Sequence, residues 1–399
     1  MKVMQIIGGI DPLGGGPGIS LLLLNKYLNK KGINSIIFTT NSGYFKNLEV
    51  PLKKITDYKN TKVIFYPYPE GNLFKNFFPK LYYSGIFAQE LFKGIKENIK
   101  KFDLVHIHGI FSFIEINVSI LSQKYNKHYI ISPRGSLSLE LVKRKSRYLK
   151  MIYLKLIGKR IFESSSGIHV LTEYEKEEVA KFKFNLKNIY VVPNGIKLSE
   201  FDSANEEIFK IFPFLKNKKY ILFLSRINWK KGLDILIPAF YEISKIYKDI
   251  YLLIAGPDNE GYGEKIKKLI KNYGIEDKVI FTGPLYGKEK ISAFKNAEIF
   301  VLPSYSENFG LAVLEAMACG KPCVISNKVG IYEEVKKYNA GIIVETNSRS
   351  LYNGIQILLK DENLKRKISE NAKKIVKNEY DIEKVAEKMI KVYEDILRK

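Results

Sequence analysis

Short runs of branched apolar residues recur along the 399-residue chain, each followed by a polar or glycine-containing break and then by apolar positions at helical spacing. That alternation predicts parallel strands with helices covering both faces. In the first half, apolar runs at 3–7, 33–39, 104–107, 129–132, 167–171 and 189–192 read as strands. Residues 19–30 read as a helix after a glycine loop, and Thr172 with Glu175 three positions on predicts a capping-box start. Pro193-Asn194-Gly195 is turn chemistry and opens a polar stretch reaching Asn205. The alternation then restarts, with strands at 220–225, 250–255, 278–282, 299–302, 322–326 and 341–344 and helices at 233–247, 264–273, 363–378 and 382–397. The economical architecture is α/β: two facing, doubly wound Rossmann-like domains with a cleft between them. The expected domains are 1–196 and 197–379, with the last helix, about 380–399, a candidate to pack back on the first.

Composition narrows this picture. With 46% hydrophobic and 27% charged residues the chain reads as globular, not disordered. Cys319 and Cys323 are the only cysteines, too few for a disulfide framework or a four-thiolate metal site, and a reducing compartment follows. The apolar start at residues 1–10 is too short and glycine-rich for a secretory signal, and no later run approaches the ~18 apolar residues of a membrane span. A cytoplasmic protein is expected, soluble or peripheral on the inner face of the membrane. The net charge of +23 is uneven: residues 1–200 hold 31 Lys and Arg against 15 Asp and Glu, the remainder 34 against 27. So basic a first half draws polyanions, whether a membrane surface, a phosphorylated carrier lipid or nucleic acid. A lysine-rich composition accounts for the same charge without any partner.

Three loops carry candidate chemistry. The stretch 303–316, PSYSENFGLAVLEA, follows a strand, which places Glu307 at the carboxyl edge of a sheet, where open α/β folds bind ligands. With a helix beginning near Phe309, free N–H groups there receive a phosphate or sugar oxygen. At ~1.5 Å per residue Glu307 and Glu315 would lie about 12 Å apart, the span from a hexose to a ribose across a pyrophosphate. Two such glutamates are otherwise ordinary solvated charges, but Glu315 sits among apolar residues. The second loop, 225–232, SRINWKKG, offers Arg226 for bidentate binding and Lys231 as a point charge near a helix start, a pyrophosphate clamp unless both are surface ion-pairing groups. The third, 11–20, DPLGGGPGIS, lets backbone approach a ligand closely, though its spacing is not the dinucleotide fingerprint and a tight turn explains it equally.

In this order the loops resemble glycosyltransferase family 4, whose members have the GT-B fold. The resemblance is most specific in the Glu307-to-Glu315 signature with Arg226 and Lys231 upstream. It extends to Gly15-Gly16, His106-Ile107-His108-Gly109, Ile168-His169-Val170, Pro193-Asn194-Gly195 and Phe281-Thr282-Gly283. It implies a nucleotide diphosphate sugar as donor, bound mainly by the second domain, and a glycan or lipid-linked glycan acceptor on the first. Arg226 and Lys231 would hold the diphosphate, Glu307 the donor sugar and Glu315 the ribose. Backbone of Asn308, Phe309, Gly310 and Leu311 would contact sugar and phosphate, and Gly283 to Leu285 would lie beside the base. The family retains anomeric configuration, usually without a metal or other cofactor, and the absence of an Asp-x-Asp motif agrees with this. Retention without an evident nucleophile is described as front-face attack assisted by the leaving phosphate. Alternation along 104–108 puts His108 at the strand's carboxyl end, facing the cleft, as the candidate at the reaction centre; a structural histidine is the other reading. Arg134 and His169 are acceptor-side candidates, Arg134 for an acceptor phosphate or as a structural loop arginine. Where many members have Asp after Asn194-Gly195-Ile196, this chain has Lys197. The stretch 131–136 is similar to members that build surface polysaccharides.

Residues 143–160 are basic, aromatic and apolar together, the pattern of a helix lying on an anionic bilayer, and the aromatic run 65–92 is a candidate to join it. An internal helix with one buried stripe gives the same pattern. Competing functions are a nucleotide-sugar epimerase of similar fold, a basic nucleic-acid-binding protein, and a catalytically silent sugar-binding scaffold. The glutamates with Arg226 and Lys231 favour transfer, and no nucleic-acid-binding module is recognisable.

Overall fold

The computed structural model describes residues 1–11, 16–43, 46–69, 85, 87–138, 147–202, 206–258 and 260–399. They form two compact units, Met1–Gly195 with Ile382–Lys399, and Ile196–Asp381.

The first unit is built on an eight-stranded sheet of order β3-β4-β2-β1-β5-β6-β7-β8. Its strands are β1 Lys2–Ile6, β2 Asn34–Thr40, β3 Ile55–Asp57, β4 Lys62–Tyr66, β5 Leu104–His108, β6 His128–Ser132, β7 Gly167–Val170 and β8 Ile189–Val191. Only β3 runs antiparallel, against β4. Side-chain alternation divides the central strands between two cores. Val3 and Leu104 join a cluster with Leu28, Met389 and Tyr393 of the helices Gly16–Lys30 and Ile382–Arg398. Met4, Ile6, Val105 and Ile107 face the other way, into a cluster with Leu91, Ile95 and Val118. Both faces being covered, the strands are near-continuous apolar runs.

Strands β3 and β4 were not foreseen, and β4 takes residues 65 and 66 out of the run 65–92 that was a candidate to join a membrane surface. Phe65 and Tyr66 are core residues, because Lys62–Tyr66 is a β-branched and aromatic run paired with β2. Residues 70–84 and 86 of that run lie outside the described residues. The helix after β7 does start on Thr172, whose hydroxyl accepts the Glu175 N–H at 3.0 Å, but the box is not closed. The Glu175 carboxylate accepts instead from Leu171 N–H and Gly135 N–H. The complete capping box is at Ser112 and Glu115, opening the helix Phe113–Lys124.

The second unit carries an all-parallel sheet of order β11-β10-β9-β12-β13-β14. Its strands are β9 Lys219–Leu224, β10 Ile250–Ala255, β11 Val279–Gly283, β12 Ile299–Leu302, β13 Cys323–Ser326 and β14 Ile342–Val344. The winding reverses between β9 and β12, so the loops leaving their carboxyl ends diverge and open a crevice. In the first unit the same reversal falls between β1 and β5. No helix among the described residues is long and apolar enough to cross a membrane.

Candidate active site

The two loops at the second unit's switch point are those singled out by their charges. After β9, Asn228 caps the short turn Trp229–Lys231, its side chain accepting the Lys230 N–H at 3.0 Å. Gly232 then takes φ 73°, and a Cβ there would lie 2.1 Å from the Pro303 carbonyl oxygen. Only glycine allows this approach of the first loop to the second. Tyr305 N–H donates to the Lys230 carbonyl at 2.7 Å and fastens the two together. From the opposite side, Glu307 N–H donates to the Lys328 carbonyl at 3.0 Å and Gly330 N–H to the Glu307 carbonyl at 2.8 Å.

Held between these supports, Glu307 forms an ion pair with Lys231. Their side chains are 22% and 11% exposed, so both charges are largely withdrawn from water. Burial by itself would raise the Glu307 carboxyl. The Lys231 charge and hydrogen bond, the Phe309 N–H and the nearby Arg226 charge outweigh it and hold the group below the usual carboxylate range. Arg226 itself is exposed.

The expected helix from Phe309 is corrected. It runs Leu311–Ala318, because Gly310 at φ 100° is a left-handed cap. Glu307 is therefore in the loop, and the 12 Å helical spacing to Glu315 does not apply. Glu315, half-buried, pairs with Lys290 of the helix Gly287–Asn296 at 2.6 Å. Lys290 was missed: one lysine in so lysine-rich a chain carries no signal until the fold sets it beside a glutamate. Gly283, at φ 71°, ends β11, while the Leu285 side chain is buried and leaves only backbone to face a ligand. Phe309 is also buried, with its ring 6.1 Å from Tyr380; Asn308 and Leu311 are half-buried.

The first unit gathers a second polar cluster. Arg134, at φ 53°, donates from one terminal nitrogen to Asn194 Oδ1 at 2.8 Å and from the other to His108 Nδ1 at 3.0 Å. Arginine only donates, so His108 carries its proton on Nε2 and gives it to Gln5 Oε1 at 2.9 Å. The Gln5 amide donates to Tyr393 Oη at 3.0 Å, and that hydroxyl donates to His106 Nδ1 at 2.8 Å. His106 Nε2 donates to Ser132 Oγ at 2.7 Å, Ser132 to His169 Nδ1 at 2.6 Å, and His169 Nε2 to the Val192 carbonyl at 2.8 Å. The network assigns one direction and one tautomer to every member, ending on an atom that only accepts. Burial, reinforced by the neighbouring histidines and Arg134, pushes His106 and His108 well below the usual imidazole range. Burial and Arg134 push His169 down to about 3. Burial also lowers Arg134, to about 10 against the opposing pull of Glu175, which leaves it cationic at neutral pH.

Three of the expected residues are placed as follows. His108 is 3% exposed with both ring nitrogens engaged, so in this arrangement it offers no lone pair to an incoming proton. His169 is buried and spends both nitrogens on the fold, not on an acceptor. Gly16 opens the helix Gly16–Lys30 instead of lying in the loop, and Gly15 lies outside the described residues. Gln5 and Tyr393 were missed; Gln5, a lone polar residue inside an apolar strand, was the available signal.

Comparison with known proteins gives the family and the fold. The family model described as "Glycosyltransferase Family 4" matches residues 14–200 and that described as "Glycosyl transferases group 1" matches residues 204–375. The chain is 27% identical to an uncharacterized glycosyltransferase of Methanocaldococcus jannaschii, over 100% of this chain and 99% of that one. It is 30% identical to the N,N'-diacetylbacillosaminyl-diphospho-undecaprenol alpha-1,3-N-acetylgalactosaminyltransferase of Campylobacter jejuni, over 56% of this chain and 60% of that one. The fold is that of Anabaena HepE, solved in complex with UDP and glucose: TM-score 0.76 at 17% identity, covering 99% of this chain and 100% of the other. The chain is a transferase with two Rossmann-like sheets in the GT-B class. It belongs to glycosyltransferase family 4.

Proposed function

We propose that this glycosyltransferase moves a hexose-type sugar, with retention of configuration, from a nucleotide diphosphate donor to a glycan or lipid-linked glycan in cell-surface polysaccharide or lipopolysaccharide synthesis. The observation carrying this reading is the Lys231–Glu307 pair beside Arg226 at the second unit's switch point. An anion and two cations there match a donor whose sugar hydroxyls donate and whose diphosphate accepts. Glu307 holds the sugar, Arg226 and Lys231 take up the charge that grows on the departing diphosphate, and Glu315 holds the ribose. Backbone at 308–311 contacts sugar and phosphate, and 283–285 lines the base. Neutral His108, fixed by Arg134 and Gln5, orients reactants without exchanging a proton. With two side-chain cations on the diphosphate, the reaction proceeds without a metal cofactor. The diphospho-undecaprenol in the name of the Campylobacter relative supports a lipid-linked acceptor.

A peripheral place on an anionic membrane surface is supported by the helical run 147–164. There Tyr148, Met151, Ile152, Leu156 and Ile157 are 41% to 78% exposed, among exposed Lys155, Lys159 and Arg160. Apolar side chains laid open between cations suit an anionic interface better than water.

The test is a panel of UDP-, GDP- and ADP-sugars assayed for nucleoside diphosphate release, with and without EDTA, and the anomeric configuration of the product read by NMR. One donor should turn over equally in both conditions and give a retained anomer. No turnover of any donor, or an epimerised donor as product, contradicts the proposal.

A further inference from the structure

We propose that Lys290 is the positioning residue for ribose recognition: it holds Glu315 by one carboxylate oxygen and leaves the other to accept a ribose hydroxyl. The carboxylate and the ammonium then select the ribose as a unit. This rests on the transferase reading above and adds a residue that the charged loops do not contain.

The placement comes from two rigid helices. Lys290 is the fourth residue of the helix Gly287–Asn296, which follows β11, and Glu315 the fifth of Leu311–Ala318, which follows β12. Each therefore lies within about 6 Å of a helix start at the carboxyl edge of the sheet, the edge that carries Arg226, Lys231 and Glu307. The first helix is pinned at three consecutive residues. Ser292 Oγ accepts the Ile208 N–H at 3.0 Å, the Tyr220 hydroxyl donates to the Ala293 carbonyl at 2.7 Å, and the Phe294 ring lies 5.5 Å from that of Phe300. On the second helix Val313, Leu314, Ala316 and Met317 are fully buried around Glu315.

Between these fixed backbones Lys290 Nζ lies 2.6 Å from Glu315 Oε1, the side chains 27% and 18% exposed. Ion pairs one turn apart on a single helix, such as Glu242–Lys245 and Glu264–Lys267, are far more open to water. A shielded pair that spans two elements fixes a rotamer, which the exposed pairs do not. Glu315 Oε2 makes no hydrogen bond among the described residues, and the ammonium keeps further N–H groups beyond the one it gives to Oε1. A ribose diol both donates and accepts, so a free carboxylate oxygen flanked by a donor matches it. A sugar without those hydroxyls leaves both charged groups unanswered. Without Lys290 the carboxylate loses the bond that orients it, and binding then bears the cost of ordering it.

The full chain is titrated calorimetrically with UDP, GDP and ADP and with the 2′,3′-dideoxy form of each. For whichever base binds, the ribose form should bind about tenfold or more tighter than the dideoxy form. Lys290→Met should weaken the ribose form about tenfold and leave the dideoxy form unchanged, closing the gap. Lys290→Arg, which keeps a cation, should retain most of it. Comparing two ligands on one variant separates recognition from folding, since a loss of folded protein or a displaced helix weakens both forms alike. A gap that survives Lys290→Met, a parallel loss of both forms, or Lys290→Arg behaving as Lys290→Met overturns the inference. Glu315→Gln, run alongside, separates it from the reading beneath it. If the gap closes in Glu315→Gln and persists in Lys290→Met, the role of Lys290 falls and Glu315 keeps the ribose. If it persists in both, or the unsubstituted protein shows no gap or no binding, the ribose placement falls and the role of Lys290 with it.

Discussion

Lys231 and Glu307, 76 positions apart in sequence, meet as a largely buried ion pair where the winding of the second sheet reverses. The pairing keeps each charge compensated in a place poor in water, and it sets a cation and an anion side by side beyond the carboxyl ends of β9 and β12. Removing one partner strands the other. Lys231→Ala should destabilise the fold by about 1–3 kcal/mol, below the full cost for a dry interior because both side chains retain some exposure. Lys231→Met with Glu307→Gln should recover most of that loss yet remain inactive. Urea unfolding of the single and double variants checks this; additive losses contradict the coupling.

The same pair sets a pH limit. The folded-state carboxyl of Glu307 lies below its ordinary value, so its contribution is present above the unfolded carboxylate range and is lost as pH falls through the lowered folded value. In Lys231→Ala this acid-sensitive contribution should shrink, because the group that lowers the folded value is gone, as followed by thermal melts between neutral pH and pH 3.

The three buried histidines act over a higher window. Each is held neutral in the fold and titrates near 6.5 once unfolded, so their stabilisation is complete above about pH 6.5 and is lost as pH falls below it. Three protons taken up by the unfolded chain alone correspond to a slope of about 4 kcal/mol per pH unit at its steepest. Glu115, raised by burial, opposes this by at most one proton's worth. Unfolding free energies at pH 8, 6.5 and 5.5 should fall in that order, whereas a flat profile contradicts neutral, buried imidazoles.

Tyr393 is the hinge of the histidine network, taking a proton from Gln5 and giving one to His106. Tyr393→Phe removes the hydroxyl from His106 Nδ1 and one of the two acceptors of the Gln5 amide, which keeps Ser35 Oγ at 3.2 Å, and should cost about 1–3 kcal/mol. Because His108 is oriented through Gln5, kcat should fall more than the donor KM rises. A loss confined to stability, with kcat unchanged, would make the network structural only.

On membrane association, the full chain should co-sediment with vesicles containing anionic lipid and dissociate as salt rises. Leu156→Glu with Ile152→Glu should release it without unfolding, both side chains being exposed. Equal binding to neutral and anionic vesicles, or none, contradicts the proposed surface.

Much of the fold was legible because parallel strands covered on both faces are written as compact apolar runs. The runs at 250–255 and 299–302 coincide with β10 and β12. Strands β3 and β4 were hidden where lysines and aromatics alternate, a composition equally suited to a surface. Glu307 and Lys231 could be found because each follows a strand end, and strand ends share an edge whatever their separation. The helix start was misplaced by two residues, since Gly310 turns left-handed to cap it and nothing local distinguishes that from a helical glycine. The histidine network was out of reach: Gln5 and Tyr393 are 388 positions apart and meet only once the last helix has returned to the first sheet.

The most direct measurement is calorimetric titration of the protein with UDP, GDP and ADP and then with the sugar derivative of whichever binds, repeated for Arg226→Ala, Lys231→Ala and Glu307→Ala. Loss of a charge-assisted contact to the diphosphate should weaken nucleotide binding about tenfold or more in the first two variants. Glu307→Ala should spare the bare nucleotide and erase the advantage of the sugar derivative over it. Unaltered affinities in all three variants would contradict the placement of the donor at this crevice.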